Sequence, residues 1–247
     1  MNIVGVTPIT WRNKSNVLDK THTRSNPARN TLPQKTQRTT QARPFYLQMT
    51  ILAVGCSFLC DRSEVRPQCA VMAERLDQPL DNRSIPGNGN AHILYNTMTA
   101  ILQNPDKYSL VVIGWSNPGR WDFVTAPHKW FALKIGNIIH TATNKRVNFS
   151  LSLFRHWAPQ VVLLSSWLRS RNIPFIMWNS LECWHEGDSP LHREILGMPE
   201  FYKPTISHIA DLRQKQQWIS EDDHHPNQAS HDQWADDLLK FYKSLHK

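Results

Sequence analysis

The feature that most constrains this chain is a short apolar run that ends abruptly in small residues. Thr50–Gly55 reads TILAVG and is followed by Cys56 and Ser57. A run of six residues, aliphatic or β-branched up to its final glycine, is too short for a helix and is typical of a buried strand in a parallel sheet. Because Gly55 permits a sharp turn, Ser57 is expected just beyond the carboxyl end of this strand.

Ligands bind at that edge of open α/β sheets, so Ser57 is a candidate nucleophile. The alternative interpretation of Gly-Cys-Ser is a turn between strand and helix, in which the Ser57 side chain caps the helix. The tripeptide alone is compatible with both.

Alternating strands and helices predict a parallel sheet of the βαβ type. Two further apolar runs, Leu110–Gly114 and Pro174–Trp178, read as strands. Helical periodicity is found in Cys69–Leu76, in Ala91–Leu102 with Asn90 as its N-cap, in Leu151–Leu168 with a kink or break at Pro159, and in about Gln228–Leu245. Residues 125–149 have no clear pattern and suggest a lid that includes His128, Trp130 and Phe131, whereas residues 180–220 predict an insertion of loops and short helices.

The positive charge of the chain is concentrated in its first 48 residues. The formal net charge is +8, and residues 1–48 hold eight Lys or Arg side chains against Asp19 alone, a net +7. The other 199 residues therefore carry only +1. This balance gives no support to a nucleic-acid groove in the folded part.

Residues 1–48 are polar, lack a hydrophobic period and are predicted to be a disordered basic leader. Their Arg- and Thr-rich composition also resembles an organellar transit peptide. A third interpretation takes Met49 as the true start, with residues 49–247 as the α/β domain. No window approaches the ~18 apolar residues of a membrane span, so we expect a soluble, cytoplasmic protein without membrane contact.

The cysteines indicate neither a disulfide framework nor a strong metal site. Cys56, Cys60, Cys69 and Cys183 are sparse for a disulfide-rich domain. Cys56-x3-Cys60 could supply half of a zinc site with histidines, but no second pair has finger-like spacing. The sequence therefore predicts no cofactor and no metal.

A second candidate for chemistry precedes the last helix, in the loop Glu221–Asn227 (EDDHHPN). Asp222 stands three residues before His225, and a carboxylate on such a loop can fold back onto imidazole Nδ1. Asp223 and His224 are the alternatives within the same loop. An Asp- and His-rich loop is also compatible with a plain solvated surface.

Four segments together resemble the ordered motifs of the SGNH (GDSL-like) hydrolase family. They are Gly55–Phe58, Pro86–Asn90, Ile113–Asn117 and Asp222–Asn227, and they span about residues 50–245. The resemblance implies a three-layer α/β/α, flavodoxin-like fold with a mostly parallel sheet, and hydrolysis or transfer of an ester-linked acyl group. The chain departs from the family pattern in the Gly-Cys-Ser of the first motif and in a third motif without Gly-x-Asn-Asp.

Carried over to this chain, the resemblance implies that Ser57 is the nucleophile, His225 the base and Asp222 the residue that orients it. Cys56 is an alternative nucleophile, although a neighbour of Ser57 should point away from the same site. The implied oxyanion hole comprises the Ser57 N–H, Gly87, and either Ser116 or Asn117.

Residues after the third motif are expected to meet the substrate. Arg120 is a candidate for an anionic or sugar-like group. Trp115, Trp121, Trp130, Trp178 and Trp184 could form a wall for sugar or acyl groups, or belong to the core.

The sequence thus predicts a serine esterase acting on a small-molecule or carbohydrate ester, with carbohydrate deacetylation as one form. The alternative is a catalytically inactive binding or structural module with the same fold, because the third motif is imperfect. A nucleic-acid binder would rest on the basic leader alone.

Overall fold

The computed structural model describes residues 49–62, 64–126, 129–134, 149–182 and 189–246. The predicted disordered leader lies outside these ranges, and of the predicted lid His128 lies outside them, whereas Trp130 and Phe131 lie inside. The strands are β1 (Thr50–Gly55), β2 (Leu80–Asn82), β3 (Tyr108–Trp115), β4 (Arg120–Ala126), β5 (Lys129–Lys134) and β6 (Phe175–Asn179). The helices are α1 (Gln68–Arg75), α2 (Asn90–Gln103), α3 (Phe149–Ser170), α4 (Pro190–Leu196), α5 (His208–Lys215) and α6 (Gln228–Leu245).

Four of these strands form a parallel sheet in the order β2-β1-β3-β6. The order of its first three strands is that of flavodoxin-like folds, with a switch point beside β1 and β3. Gly55 pairs with Gly114 in the register, so the carboxyl ends of β1 and β3 lie side by side.

The two faces of the sheet bury two separate apolar clusters. Leu52 and Val54 of β1 pack on the side of α2 and α3, whereas Ile51 and Ala53 pack on the side of α1 and α6. Every residue of β1 is buried, because both faces of a central parallel strand are covered by helices. The predicted three-layer α/β/α architecture is confirmed.

Several local predictions differ from the structure. Pro159 lies inside the continuous helix α3 and does not end it. Asn90 is the first residue of α2, and its N-cap is Gly89. Residues within the unclear 125–149 segment belong partly to an antiparallel hairpin, β4–β5, which carries Trp130 and Phe131.

None of the helices in the described ranges is long and apolar enough to cross a membrane.

A charged cluster ties the edge strand β2 to the start of β3. The Asp81 carboxylate accepts hydrogen bonds from Lys107 Nζ at 2.8 Å, Tyr108 Oη at 2.7 Å and Arg83 Nε at 3.2 Å. Burial opposes ionisation of this carboxyl, but the hydrogen bonds from Lys107, Tyr108 and Arg83 outweigh it and lower the pKa of Asp81 to about 2. The cluster therefore stabilises the fold only while Asp81 is ionised.

The Asp81→Asn variant is expected to be less stable than wild type by about 1–2 kcal/mol near neutral pH. The pKa of Asp81 is lower in the folded protein than in the unfolded chain. The difference in unfolding free energy between the two proteins is therefore present above about pH 4 and disappears as the pH falls towards 2. Urea unfolding of wild type and Asp81→Asn at a series of pH values measures this difference in stability. A stability difference that stays constant between about pH 7 and about pH 2.5 would contradict the role of the Asp81 charge.

Candidate active site

Ser57 lies at the carboxyl end of β1 in a half-buried position, one residue beyond the buried Cys56. The turn that carries it is closed by the Leu59 N–H, which donates to the Cys56 carbonyl at 3.0 Å. A Cβ atom on Gly55 would lie 2.9 Å from Leu59 Cδ1, and a Cβ atom on Gly114 would lie 2.4 Å from it. A side chain at either strand end would clash with Leu59, which packs against both glycines beside the turn that carries Ser57.

The hydroxyl of Ser57 is within hydrogen-bond distance of a histidine from the other end of the domain. Ser57 Oγ lies 2.9 Å from His225 Nε2, and His225 Nδ1 lies 2.5 Å from Asp223 Oδ1. An imidazole that donates from Nδ1 to a carboxylate presents Nε2 as an acceptor. The three side chains are thus connected in the order serine, histidine, aspartate.

The carboxylate on Nδ1 belongs to Asp223, whereas the sequence analysis expected that of Asp222. Asp223 Oδ1 also accepts the backbone N–H of His225 at 3.1 Å, which is the two-residue geometry of an Asx turn. The turn is held by Ser220 Oγ, which accepts the Asp223 N–H at 3.0 Å, and by the Ile219 N–H, which donates to the His225 carbonyl at 2.9 Å. The Asp222 side chain is exposed.

A further arginine, Arg62, holds the second oxygen of the Asp223 carboxylate. Its Nη1 donates to Asp223 Oδ2 at 2.9 Å. The hydrogen bond from His225, supported by the Arg62 charge, holds the pKa of the Asp223 carboxyl below its ordinary value. Sequence reasoning missed Arg62, because a single arginine in a polar loop five residues after Ser57 carries no recognisable signal.

The two alternatives for nucleophile and base lie apart from this hydrogen-bonded chain. His224 is exposed, and its ring packs against Trp218 with a centroid distance of 5.4 Å. Cys56 is fully buried, and burial raises the pKa of its thiol. A buried thiol of raised pKa is a poor nucleophile.

The second motif forms a tight turn against the end of β1. Asn88 N–H donates to the Ile85 carbonyl at 3.2 Å, and Gly87 has a φ of 81°, which a type II turn requires at this position. Asn88 Nδ2 donates to the Gly55 carbonyl at 3.3 Å, and Asn88 Oδ1 lies 2.7 Å from His92 Nδ1. Burial lowers the pKa of His92, which favours the neutral ring that orients the Asn88 amide.

The third motif is fixed to the first turn of α2 through its backbone. Asn90 Oδ1 accepts the Ser116 N–H at 2.8 Å, and Asn90 Nδ2 donates to the Ser116 carbonyl at 3.1 Å. The Ser116 hydroxyl is buried and inaccessible to solvent. Asn117 Nδ2 donates to the Glu182 carbonyl at 3.0 Å, and Asn117 Oδ1 accepts the Gly119 N–H at 2.7 Å. The side chains of Ser116 and Asn117 are therefore already engaged or enclosed.

Arg120 begins β4 directly after the third motif and is half-buried. Its Nη1 donates to the Asn88 carbonyl at 3.4 Å, which places the guanidinium beside the second motif. The next residue, Trp121, is 40% exposed, and its ring stacks on His156 with a centroid distance of 5.1 Å. Of the five tryptophans considered as a wall, Trp115 and Trp178 are fully buried in the core, and the side chains of Trp130 and Trp184 lie outside the described set.

Asp122 fastens the hairpin to the amino end of α2. Its carboxylate accepts the Gly89 N–H at 2.8 Å and the His92 N–H at 2.9 Å, where the helix N-terminus favours negative charge. A Cβ on Gly89 would lie 2.6 Å from the Asp122 carboxylate, so a larger residue there would displace this cap. Sequence reasoning missed this cap because it comes from another element.

Among the residues that the structure describes, no group of three or more His, Cys, Asp or Glu side chains is placed to hold a metal ion. Cys60 Sγ instead donates to the Cys56 carbonyl at 3.4 Å, and burial raises the pKa of its thiol to about 12.

No known family model matches this sequence, and no curated protein matches it either. Solved structures of similar fold include the psychrotrophic esterase EstA from Pseudoalteromonas sp., 12% identical, covering 79% of this chain and 97% of its own, with a TM-score of 0.47. TesA is 16% identical, with 80% and 99% of the two chains covered and a TM-score of 0.47. The acetyl xylan esterase AlAXEase is 14% identical, and the match covers 78% of this chain and 98% of that esterase with a TM-score of 0.45. Each likeness concerns the fold alone.

Proposed function

We propose that this chain is a serine esterase in which Ser57 is the nucleophile, His225 the general base and Asp223 the residue that orients it. One observation carries the proposal: the two hydrogen bonds that join Ser57 Oγ to His225 Nε2 at 2.9 Å and His225 Nδ1 to Asp223 at 2.5 Å. A serine hydroxyl in contact with an oriented imidazole is the arrangement that activates it for nucleophilic attack.

In the first half of the reaction, Ser57 Oγ attacks the carbonyl carbon of the ester while its proton passes to His225 Nε2. The tetrahedral intermediate then expels the alcohol, which takes the proton back from His225, and an acyl-serine remains. In the second half, a water molecule loses a proton to His225 and attacks the acyl carbon. The bond from that carbon to Ser57 Oγ then breaks, Ser57 Oγ takes the proton from His225, and the acid is released. Asp223 stays ionised throughout and stabilises the imidazolium, and its contact with Arg62 holds the carboxylate in place.

A carbohydrate ester is the substrate class that we propose. Trp121 is 40% exposed although its ring stacks on His156, and an exposed aromatic surface of this kind suits the apolar face of a sugar. Fewer tryptophans contribute to such a surface than the sequence predicted, because Trp115 and Trp178 are buried in the core.

The decisive test is covalent labelling of the folded protein with a fluorophosphonate probe. We expect a single adduct on Ser57, because the probe phosphonylates a serine whose proton a neighbouring base accepts. Hydrolysis assays with an aryl acetate and with a fully acetylated monosaccharide then measure the chemistry and the preference for a sugar carrier. Mass spectrometry of the digested protein identifies the labelled residue.

The matched pair for this test is Ser57→Ala and Ser170→Ala. Ser170 is an exposed serine at the end of α3, so its replacement should leave labelling and hydrolysis unchanged, whereas Ser57→Ala should lose both. Folded wild-type protein that neither takes up the probe nor releases acetate would refute the proposal and favour a binding or structural module.

A further inference from the structure

Ester hydrolysis moves negative charge onto the substrate carbonyl oxygen, and the enzyme needs hydrogen-bond donors at that point. The family resemblance implies two backbone donors, the N–H groups of Ser57 and Gly87, and the turn that contains Gly87 is tied to the end of β1 by the hydrogen bond from Asn88 Nδ2 to the Gly55 carbonyl at 3.3 Å. Neither donates a hydrogen bond to another residue within the described ranges. The third donor that the sequence suggested is Ser116 or Asn117.

One of these side chains is enclosed and the other is held in another contact. The Ser116 hydroxyl is enclosed next to the Cys56 thiol and has no access to solvent. The Asn117 amide donates to the Glu182 carbonyl at 3.0 Å, on the loop after β6. The position that the third motif should fill is therefore open to another group.

Arg120 is a cationic side chain beside the second motif, three residues after Asn117. Its guanidinium contacts the carbonyl of Asn88, the residue after Gly87, at 3.4 Å. Burial is what chiefly raises the pKa of the Cys56 thiol, while the Arg120 charge acts in the opposite direction. The field of the guanidinium thus reaches the residue that precedes Ser57.

Most of the hydrogen-bonding capacity of Arg120 is unused within the described ranges. A guanidinium has five N–H groups, and the Asn88 carbonyl is the only acceptor for this one in the described part of the chain. No carboxylate there forms an ion pair with it. A half-buried arginine without a counter-ion among these residues is poised to receive an anion.

The hairpin that carries Arg120 is joined to the second motif by hydrogen bonds. Asp122, two residues further along β4, accepts the Gly89 and His92 N–H groups. The negatively charged Asp122 carboxylate therefore lies at the start of α2. This attachment fixes the start of β4 before substrate arrives, as preorganised electrostatic stabilisation requires.

We propose that Arg120 is a catalytic residue that supplies the third donor of the oxyanion hole, in place of the side chain of the third motif. The inference rests on the proposed esterase function. As Ser57 Oγ bonds to the carbonyl carbon, the C=O π electrons move to oxygen and the serine proton passes to His225. The resulting oxyanion is held by the Ser57 and Gly87 N–H groups and the Arg120 guanidinium until the C=O bond re-forms and the alcohol leaves.

The test uses a neutral aryl acetate, which has no anionic group for an arginine to bind. Arg120→Gln should lower kcat by about 10²-fold, the usual cost of one oxyanion donor, with little change in KM. Phenylboronic acid, which forms a tetrahedral anion on an active serine, should bind Arg120→Gln more weakly by a similar factor. Arg171→Gln, an exposed arginine whose guanidinium lies over Trp167, is the control and should match wild type.

Two further variants, Arg120→Lys and Arg120→Ala, distinguish loss of the Arg120 charge from loss of the folded state. Lysine should retain part of kcat, and added guanidinium ion should restore part of kcat to Arg120→Ala, which also shows that the variant is folded. Unchanged kcat and boronate affinity in Arg120→Gln would overturn the inference. A fall in the activity of Arg120→Gln that is confined to aryl esters of a dicarboxylic acid would also overturn the inference, because Arg120 would then bind a substrate carboxylate. Failure of the proposed function is distinct, since wild-type Ser57 would then not react with the fluorophosphonate.

Discussion

Replacement of His225 by alanine is expected to lower kcat for a neutral aryl acetate by about 10⁴–10⁶-fold, with KM changed far less. The reason is that the proposed base, His225 Nε2, lies 2.9 Å from Ser57 Oγ and is removed entirely in this variant. The fluorophosphonate adduct on Ser57 should also form much more slowly. Steady-state kinetics and a labelling time course measure the two effects.

The adjacent histidine is a matched control. His224 is exposed and packs against Trp218, so His224→Ala should retain kcat within about 2-fold, as is usual for surface substitutions. A large loss in His224→Ala with little loss in His225→Ala, in two folded variants, would identify His224 as the base and refute the role of the contact between His225 and Ser57.

Asp223→Asn is expected to lower kcat by about 10³–10⁴-fold. An amide at this position can donate to Nδ1 and stabilise the wrong imidazole tautomer, in which Nε2 carries the proton and cannot accept one from Ser57. The amide also cannot stabilise the imidazolium as a carboxylate does. The pH dependence of kcat/KM should change with it, because the base then lacks its carboxylate partner.

Asp222→Asn tests the same chemistry one residue earlier. Because the Asp222 side chain is exposed and Asp223 makes the contact to His225, Asp222→Asn should keep kcat close to wild type. Equal losses in the two variants would mean that charge on the loop, and not the hydrogen bond to Nδ1, supports activity. A larger loss in Asp222→Asn would restore the assignment that the sequence favoured.

The fold could be predicted because its strands are short apolar runs that stop at small residues. Thr50–Gly55 and the run into Gly114 are buried on both faces of the sheet, and such burial leaves a clear pattern in the sequence. α6 shows a similarly clear stripe, and its observed range of Gln228–Leu245 agrees with the prediction. β2 has only three residues and β4–β5 lies outside the main sheet, so neither leaves a comparable pattern.

The candidate site was less predictable, because its details depend on loop geometry. The choice between Asp222 and Asp223 is decided by an Asx turn, which spacing alone does not reveal. The contact between Arg62 and Asp223 joins residues 161 positions apart, and no local signal connects them. Engagement of Asn117 with the Glu182 carbonyl likewise depends on how two loops meet.

The proposed nucleophile and its base are separated by 168 positions in the chain. During synthesis from the amino end, Ser57 leaves the ribosome long before His225, and domains form as units only when their segments are present. His225 precedes α6, whose Trp234 and Leu238 complete the core on one face of the sheet. A nascent chain, or one shortened to end before residue 225, would therefore carry the proposed nucleophile without its proposed base, and we expect reactivity only after the last helix has docked.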